Sequence, residues 1–397
     1  MEVPYVRYLI GWIAKKFDYI NRVTKRFHLR STRDLSRRMY SLHRLDPLKY
    51  LFYPSTEARK AALAKTEKNK PPMLERLSVL PKPEINFHPM SSLTHSSMNR
   101  DSFSLLGKDS IVFSDSFSKT ILYNIELGTV ASIPRINSCM VPFGMSLPMI
   151  QDNLVDRTED QSLYVMDLSR DANISSCFEV LRCDDGWGWH TLPAPPFLSH
   201  NPSFRRTINR CCYTVVDSST ICISSMDQGI GTYTFDTASR VWRQVGKWVL
   251  PFYGKAEYVP ELKLWFGLSE CNGSPRLCAL DLSAMDAEQP PTLQNTWDYL
   301  DLFEDKKTVI SEHHLVNLGS GMFCIATLLR TILHTFSPDS PCSSGEEIMM
   351  DMMDGEFIFL TGVEVERCCN EGQAPFKMIK HKSIYYDLKH RTIKSVL

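Results

Sequence analysis

Residues 213–252 read YTVVDSSTICISSMDQGIGTYTFDTASRVWRQVGKWVLPF, and this stretch decides the fold. Tyr213–Val216 and Thr220–Ser224 are rich in β-branched residues, and the turn formers Asp217-Ser218-Ser219 separate them. Alternation in Gly231–Phe235 sends Tyr233 and Phe235 to one face and Thr232 and Thr234 to the other. After a turn over Asp236–Ser239, Val241–Val245 alternates again, with Trp242 opposite Val241 and Val245. Four short strands joined by tight turns over roughly 40 residues make an antiparallel meander.

The pattern recurs on both sides. Ser110–Val112 and Thr120–Asn124 read as a hairpin, and Gly128 turns it into Val130–Ile133. Ser162–Asp167 and Cys177–Arg182 form the next pair, which Asp184-Asp185-Gly186 turns into Trp187–Phe197. Ala256–Val259, Leu262–Leu268 and Leu277–Asp281 follow the opening stretch. Strand ends marked by proline fall at Ile133-Pro134, Leu192-Pro193 and Leu250-Pro251, spaced 59 and 58 positions apart. Such regularity is the mark of a repeat architecture.

At 397 residues, 43% hydrophobic and 23% charged, the composition is that of an ordinary globular chain with zero formal net charge. The charge is uneven: residues 1–60 hold 14 Lys and Arg against 5 Asp and Glu, a net of +9 that leaves −9 for the rest. The twelve cysteines fit neither a disulfide framework nor a zinc site. Cys211-Cys212 and Cys368-Cys369 are adjacent pairs, and Cys177 to Cys183 and Cys271 to Cys278 give no Cys-x-x-Cys. Cys222, Cys278 and Cys324 lie among strand-like apolar residues, where a thiol acts as a small hydrophobe. The early apolar run Leu9–Ala14 is broken by Gly11 and followed by Lys15-Lys16, unlike a secretory signal. No stretch reaches the length of a transmembrane segment. The expected compartment is intracellular, cytoplasm or nucleus, with organelle targeting by the Arg-rich N-terminus as the competing reading.

Residues 1–85 read as a basic N-terminal extension and residues 86–397 as the β body. On a 3.6-residue wheel Tyr5, Tyr8, Leu9, Trp12, Ile13, Phe17 and Ile20 share a sector opposite Arg7 and Asp18, which predicts an amphipathic helix over 5–20. Lys16 intrudes on that sector, and Arg22–Arg44 is basic. Tyr40–Pro47 and Leu51–Pro54 read as strands, so residues 39–53 are expected to lend a strand to the body, with Met39–Leu42 pairing near the C-terminus. Ser55–Lys70 reads as helix and Pro71–Asn86 as a proline-rich linker. Later, Leu315–Leu318 and Met322–Leu328 form a hairpin turned by Gly319-Ser320-Gly321. Phe357–Glu366, Ser383–Leu388 and Thr392–Leu397 read as strands, and residues 337–355 as a long mobile loop, Ser/Pro-rich and then acidic and Met-rich.

Phe235, six residues, then Trp242 matches the aromatic-to-Trp spacing of kelch repeats, whose large side chains pack between neighbouring blades. The Gly-Gly doublet of those repeats is replaced by Gly229 and Gly231, and the first unit offers Tyr123 and Val130 instead of an aromatic and Trp. Beyond kelch, the chain resembles a large uncharacterised plant family, expanded in grasses, with a kelch-like domain of unknown function. The stretches carrying the resemblance are Tyr40–Asp46, Trp187-Gly188-Trp189 with Leu192–Phe197, Gly231–Asp236, Val316–Ala326 and Leu360–Glu366. The resemblance covers roughly residues 40–397. It implies an all-β, kelch-like β-propeller of about five or six blades, and no activity.

No stretch nominates a catalytic, cofactor-binding or metal-binding residue. Glu312-His313-His314 lacks the second His one helical turn away and reads as a capped turn or strand entry. Gly229-Ile230-Gly231 is too short for a phosphate loop, and Ser224 and Ser320 lack a nucleophile elbow. The expected function is a non-enzymatic protein-interaction scaffold that uses propeller loops, with a protein partner and no cofactor. Two other readings stay open: a propeller enzyme with its site at the central channel, and a basic-arm protein binding anionic membrane or nucleic acid.

Overall fold

The computed structural model describes residues 7–13, 39–66, 75–89, 101–137, 144–150, 161–167, 177–200, 211–225, 229–271, 274–285, 289–299, 308–336, 349–368, 375–388 and 392–397. Strands account for 62% of the structure and helices for 7%, so the chain is all-β. In chain order β1 (Arg7–Ile13), β2 (Met39–Leu45), the short helices α1 (Pro47–Leu51) and α2 (Thr56–Thr66), β3 (Glu75–Arg76) and β4 (Pro83–Phe87) come first. Four meanders follow. They are β5 to β8 (Ser102–Leu106, Ser110–Ser114, Thr120–Asn124, Thr129–Ile133) and β9 to β12 (Met145–Ile150, Gln161–Met166, Phe178–Cys183, Trp187–Thr191). After α3 (Pro196–His200) come β13 to β16 (Cys211–Val215, Thr220–Ser225, Gly231–Asp236, Val241–Gly246). The fourth is β17 to β20 (Tyr253–Val259, Leu264–Cys271, Ser274–Leu280, Leu293–Asp298). The long strands β21 to β24 (Thr308–Gly319, Met322–Phe336, Met349–Arg367, Phe376–Asp387) and β25 (Thr392–Val396) complete the order.

Each meander pairs strands that are neighbours in sequence, and a short parallel contact joins the third to the fourth through β13 and β17. β21 to β24 carry β3 as a fifth strand, and the last sheet has the order β25-β1-β2-β4. The two ends of the chain therefore share one sheet. These small antiparallel sheets are the blades of a β-propeller fold. The chain divides into two compact units, Met1–Asn86 with Tyr299–Val396, and Phe87–Asp298.

Within Phe87–Asp298 the blades meet through aromatic side chains. Phe235 and Trp242 are cross-strand partners with ring centroids 4.9 Å apart. Phe178 of the preceding blade reaches both, 4.9 Å from Phe235 and 5.6 Å from Trp242. Phe235 is fully buried, whereas Trp242, expected to be buried too, is only half-buried. The reason is its indole N–H, which reaches the outer rim and donates to the Pro193 carbonyl at 2.8 Å. The same device occurs one blade earlier, where Trp189 Nε1 donates to the Pro134 carbonyl at 3.1 Å. Two of the three evenly spaced proline ends, Pro134 and Pro193, are thus acceptors for the outer-strand tryptophan of the next blade.

Several sequence expectations are corrected. Residues 7–13 are strand β1, where a helix over 5–20 was expected; residues 14–38 lie outside the described ones. The wheel counted apolar spacing only, but the segment is offered two strand edges and pairs Leu9 with His43 on one side and Val396 on the other. Met39–Leu42 does share a sheet with the C-terminal strand, with β1 between them. Leu51–Pro54, expected as strand, is the last residue of helix α1 and the loop after it; the helix starts at Pro47 because Asp46 caps Leu48 N and Lys49 N at 3.1 and 3.3 Å and proline fits the first turn. The linker expected over Pro71–Asn86 contains β3 and β4. Of the loop expected over 337–355, residues 349–355 belong to β23 and pair with the far end of β22; residues 337–348 lie outside the described ones. β5, β9 and β20 had no reading at all, since short Ser, Met, Pro and Asn-containing segments carry a weak β signal.

Candidate functional site

Three histidines sit where chemistry would be sought. His43 lies on β2 two residues after Ser41, and both side chains are buried. Its Nδ1 is 2.7 Å from the Pro81 carbonyl, which only accepts, so Nδ1 carries the proton. Nε2 then accepts from Ser41 Oγ at 2.8 Å. A hydroxyl hydrogen-bonded to an imidazole held by an acceptor is the arrangement of an activated nucleophile. Here Ser41 is 1% exposed, and the relay pins β2 to the segment around Pro81.

His381 is the second. Tyr53 N–H donates to its Nδ1 at 3.4 Å, and Nε2–H donates to Glu364 Oε2 at 2.9 Å. Phe52 packs on the ring at 4.8 Å, and Lys382 Nζ lies 5.2 Å above the Tyr53 ring. Close by, a Cβ on Gly362 would stand 2.6 Å from the Leu51 carbonyl oxygen. The absent side chain lets the end of α1 rest on β23, and His381 ties the following residues down.

His313, expected at a turn or strand entry, lies inside β21 paired with Thr327. Burial, reinforced by neighbouring His314, lowers its pKa from 6.5 to about 4. A folded-state value below the unfolded one means that the unfolded chain takes up the proton first. The contribution to stability is therefore whole above pH 6.5 and is lost as pH falls toward 4, on the order of 3 kcal/mol in full. Denaturation midpoints measured across that window should fall less steeply for His313→Gln than for the parent chain. Equal slopes would mean that His313 is not the group titrating.

The cysteines behave as core. Cys211, Cys212, Cys222, Cys278 and Cys324 are buried thiols outside any disulfide. Burial pushes the Cys222 and Cys324 thiols up to about 12 and Cys212 well above its ordinary value, which suppresses the thiolate a nucleophile or metal ligand needs. Among the described residues no three His, Cys, Asp or Glu side chains converge as a metal site. Ser224 Oγ contacts Thr232 Oγ1 at 2.9 Å and accepts from Leu250 N at 2.8 Å, so it stitches a blade. The β21–β22 turn forms as expected with Gly319 and Gly321 at positive φ, and Ser320 between them takes positive φ as well.

What the blades present outward is carboxylate. In a meander the first and third turns lie at one end of the strands. In Phe87–Asp298 the described turns of that kind, with Asp236 at a strand end, hold Asp109, Glu126, Asp184, Asp185, Asp217, Asp236, Glu261 and Asp281. Lys108, Arg240 and Lys263 oppose them. Asp217 accepts from Ser219 N at 2.8 Å, Asp236 from Ser239 N at 2.6 Å and Asp281 from Ser283 N at 2.9 Å. The Ser239 N–H holds the Asp236 carboxyl below the ordinary carboxylate range, and the Ser283 hydroxyl, donating at 2.6 Å, together with its N–H does the same for Asp281.

The sequence matches, over residues 26–386, the family described as "Protein of unknown function (DUF1668)". The chain belongs to the DUF1668 family. Among curated proteins none matches this DUF1668 chain. Among solved structures it is similar to a protein from Lactobacillus plantarum (10% identity, 96% of this chain and 97% of that one, TM-score 0.39). It is similar also to the β-propeller domain of Myceliophteria thermophila Cps50 (Swd1) (8% identity, 70% and 82%, TM-score 0.32). A third is Kuenenia stuttgartiensis hydrazine synthase (11% identity, 71% of this chain, TM-score 0.33), of which the DUF1668 chain spans 64%. No helix among the described residues is long and apolar enough to cross a membrane.

The stretches that carried the plant-family resemblance now have physical roles in this DUF1668 chain. Tyr40–Asp46 supplies the Ser41–His43 relay and the α1 cap, and Leu360–Glu366 supplies Gly362 and Glu364. Trp189 and Pro193 make the blade-to-blade hydrogen bonds. All are scaffold, and only the turn acids stood unremarked as a candidate surface. Their signal in the sequence was an Asp or Glu in nearly every short turn, which turn propensity alone accounts for.

Proposed function

We propose that this chain is a non-catalytic interaction scaffold, presenting the turns of its kelch-like blades to a protein partner rich in lysine or arginine. The observation that carries the reading is the set of turn carboxylates, of which Asp217, Asp236 and Asp281 are held in place by hydrogen bonds from neighbouring serines. Preset charge of one sign selects and steers a partner of the other without paying to order the side chains. Asp185 and Glu261 are exposed turn residues, suited to substitution. Cross-linked complexes recovered with the parent chain should be lost from an Asp185→Lys, Glu261→Lys variant that unfolds at the same denaturant concentration. An unchanged set of complexes would remove the turn face as the binding surface.

The reading of residues 1–60 as an arm for anionic membrane or nucleic acid is supported by their net charge of +9, and no longer by a helix over 7–13. Flotation with anionic liposomes, comparing the chain with and without residues 1–38, decides it. Equal behaviour of both removes the arm from the function.

A further inference from the structure

The outer strand of the first blade, β8, differs from those of the other three blades in Phe87–Asp298. Thr129–Ser132 are all exposed, Val130 is 55% exposed, and Leu127 in the turn before it is 74% exposed. Among the described residues β8 pairs with β7 alone and ends its sheet. Its sequence Thr-Val-Ala-Ser-Ile holds no charge and no proline, and its ladder with β7 runs without a bulge. The other outer strands carry the devices that discourage edge pairing. His190 of β12 lies 3.4 Å from Asp184, β16 holds Arg243 and a register shift, and β20 holds Asp298 paired with Arg276 at 2.8 Å and a register shift. Alternate residues of β8 turn backbone N–H and C=O away from β7, which makes the edge a template for another strand.

Charge at the two ends of the edge identifies that strand. Glu126 precedes β8 and Arg135 follows it, and both are exposed. A second β8 running antiparallel sets Arg135 of the second copy beside Glu126 of the first, and the reverse at the other end. A parallel copy would set like charges together. Antiparallel pairing of identical strands also closes on a two-fold axis, so the contact saturates at two chains. Outward-facing residues share one parity, so the register centres on Val130 or on Ala131. In either register the turn that holds Glu126 lies at the strand end of the second copy that Arg135 follows. From this self-complementary edge we infer that the chain forms a two-fold dimer by antiparallel pairing of β8 with β8 of a second copy.

Sedimentation equilibrium on the full chain tests the dimer. The expected result is a monomer–dimer equilibrium in which Val130→Lys raises the dissociation constant at least about tenfold without changing the unfolding midpoint. Glu126→Arg should weaken the dimer, and combining it with Arg135→Glu should restore it, an outcome that a merely damaged fold does not give. Amides of residues 129–133 should exchange more slowly as the chain is concentrated. A chain that stays monomeric at every concentration, a dimer indifferent to Val130→Lys, or a double reversal that restores nothing overturns the inference.

Discussion

Phe235→Ala is expected to remove about 3–5 kcal/mol of unfolding free energy, the range for truncating a large aromatic in a packed core. Phe235 is fully buried between two blades, 4.9 Å from both the Phe178 and the Trp242 rings. Its loss leaves a cavity that neither blade fills, because β15 is held by β14 on one side and β16 on the other. Trp242→Phe should cost less, about 1 kcal/mol, since it keeps the apolar contact and loses the hydrogen bond to Pro193. Equilibrium denaturation of the three chains, followed by circular dichroism, gives the order. A Phe235→Ala chain as stable as Trp242→Phe would mean that the wedge between these blades does not hold the fold together.

Phe235 and Trp242 could be read in advance because a strand repeats every two residues and its turns are marked by Asp, Ser and Gly. All four strands of 213–252 form within a residue or two of where the alternation put them. The N-terminus was illegible for the opposite reason. Residues 7–13 satisfy a helical wheel, and what makes them a strand is pairing with β2 and with β25 at the other end of the chain. The long strands β22 and β23 were read short because their far halves, Ile332–Phe336 and Met349–Met353, pair, among the described residues, with each other alone. The histidine relays were equally hidden. His43 depends on a carbonyl 38 positions away, and His381 on a backbone N–H 328 positions away. Turn carboxylates could be read from the sequence, yet their alignment at one end of the blades follows only from the meander.

Gly231→Ala should cost about 2–5 kcal/mol, combining the strain of a left-handed backbone with that of overpacking. Gly231 has φ of +75°, and the place its Cβ would take is occupied by the Gly246 carbonyl oxygen and by Lys247 Cα. That backbone is not free to retreat. Thr232 pairs with Gly246 beside a register shift, Thr232 Oγ1 donates to the Trp248 carbonyl at 2.9 Å, and Leu250 N donates to Ser224 Oγ at 2.8 Å. Any shift passes along residues 246–250 to Leu250 and Phe252, both buried against Trp265 and Leu280. Gly229→Ala is the control, because Gly229 shares a positive φ, +93°, and has nothing within 4 Å of the place a methyl group would take. It should show the conformational part alone, about 1–2 kcal/mol. The difference between the two variants measures how tightly the exit of β16 is stitched to the entrance of β15, and equal losses would show that it is not stitched at all.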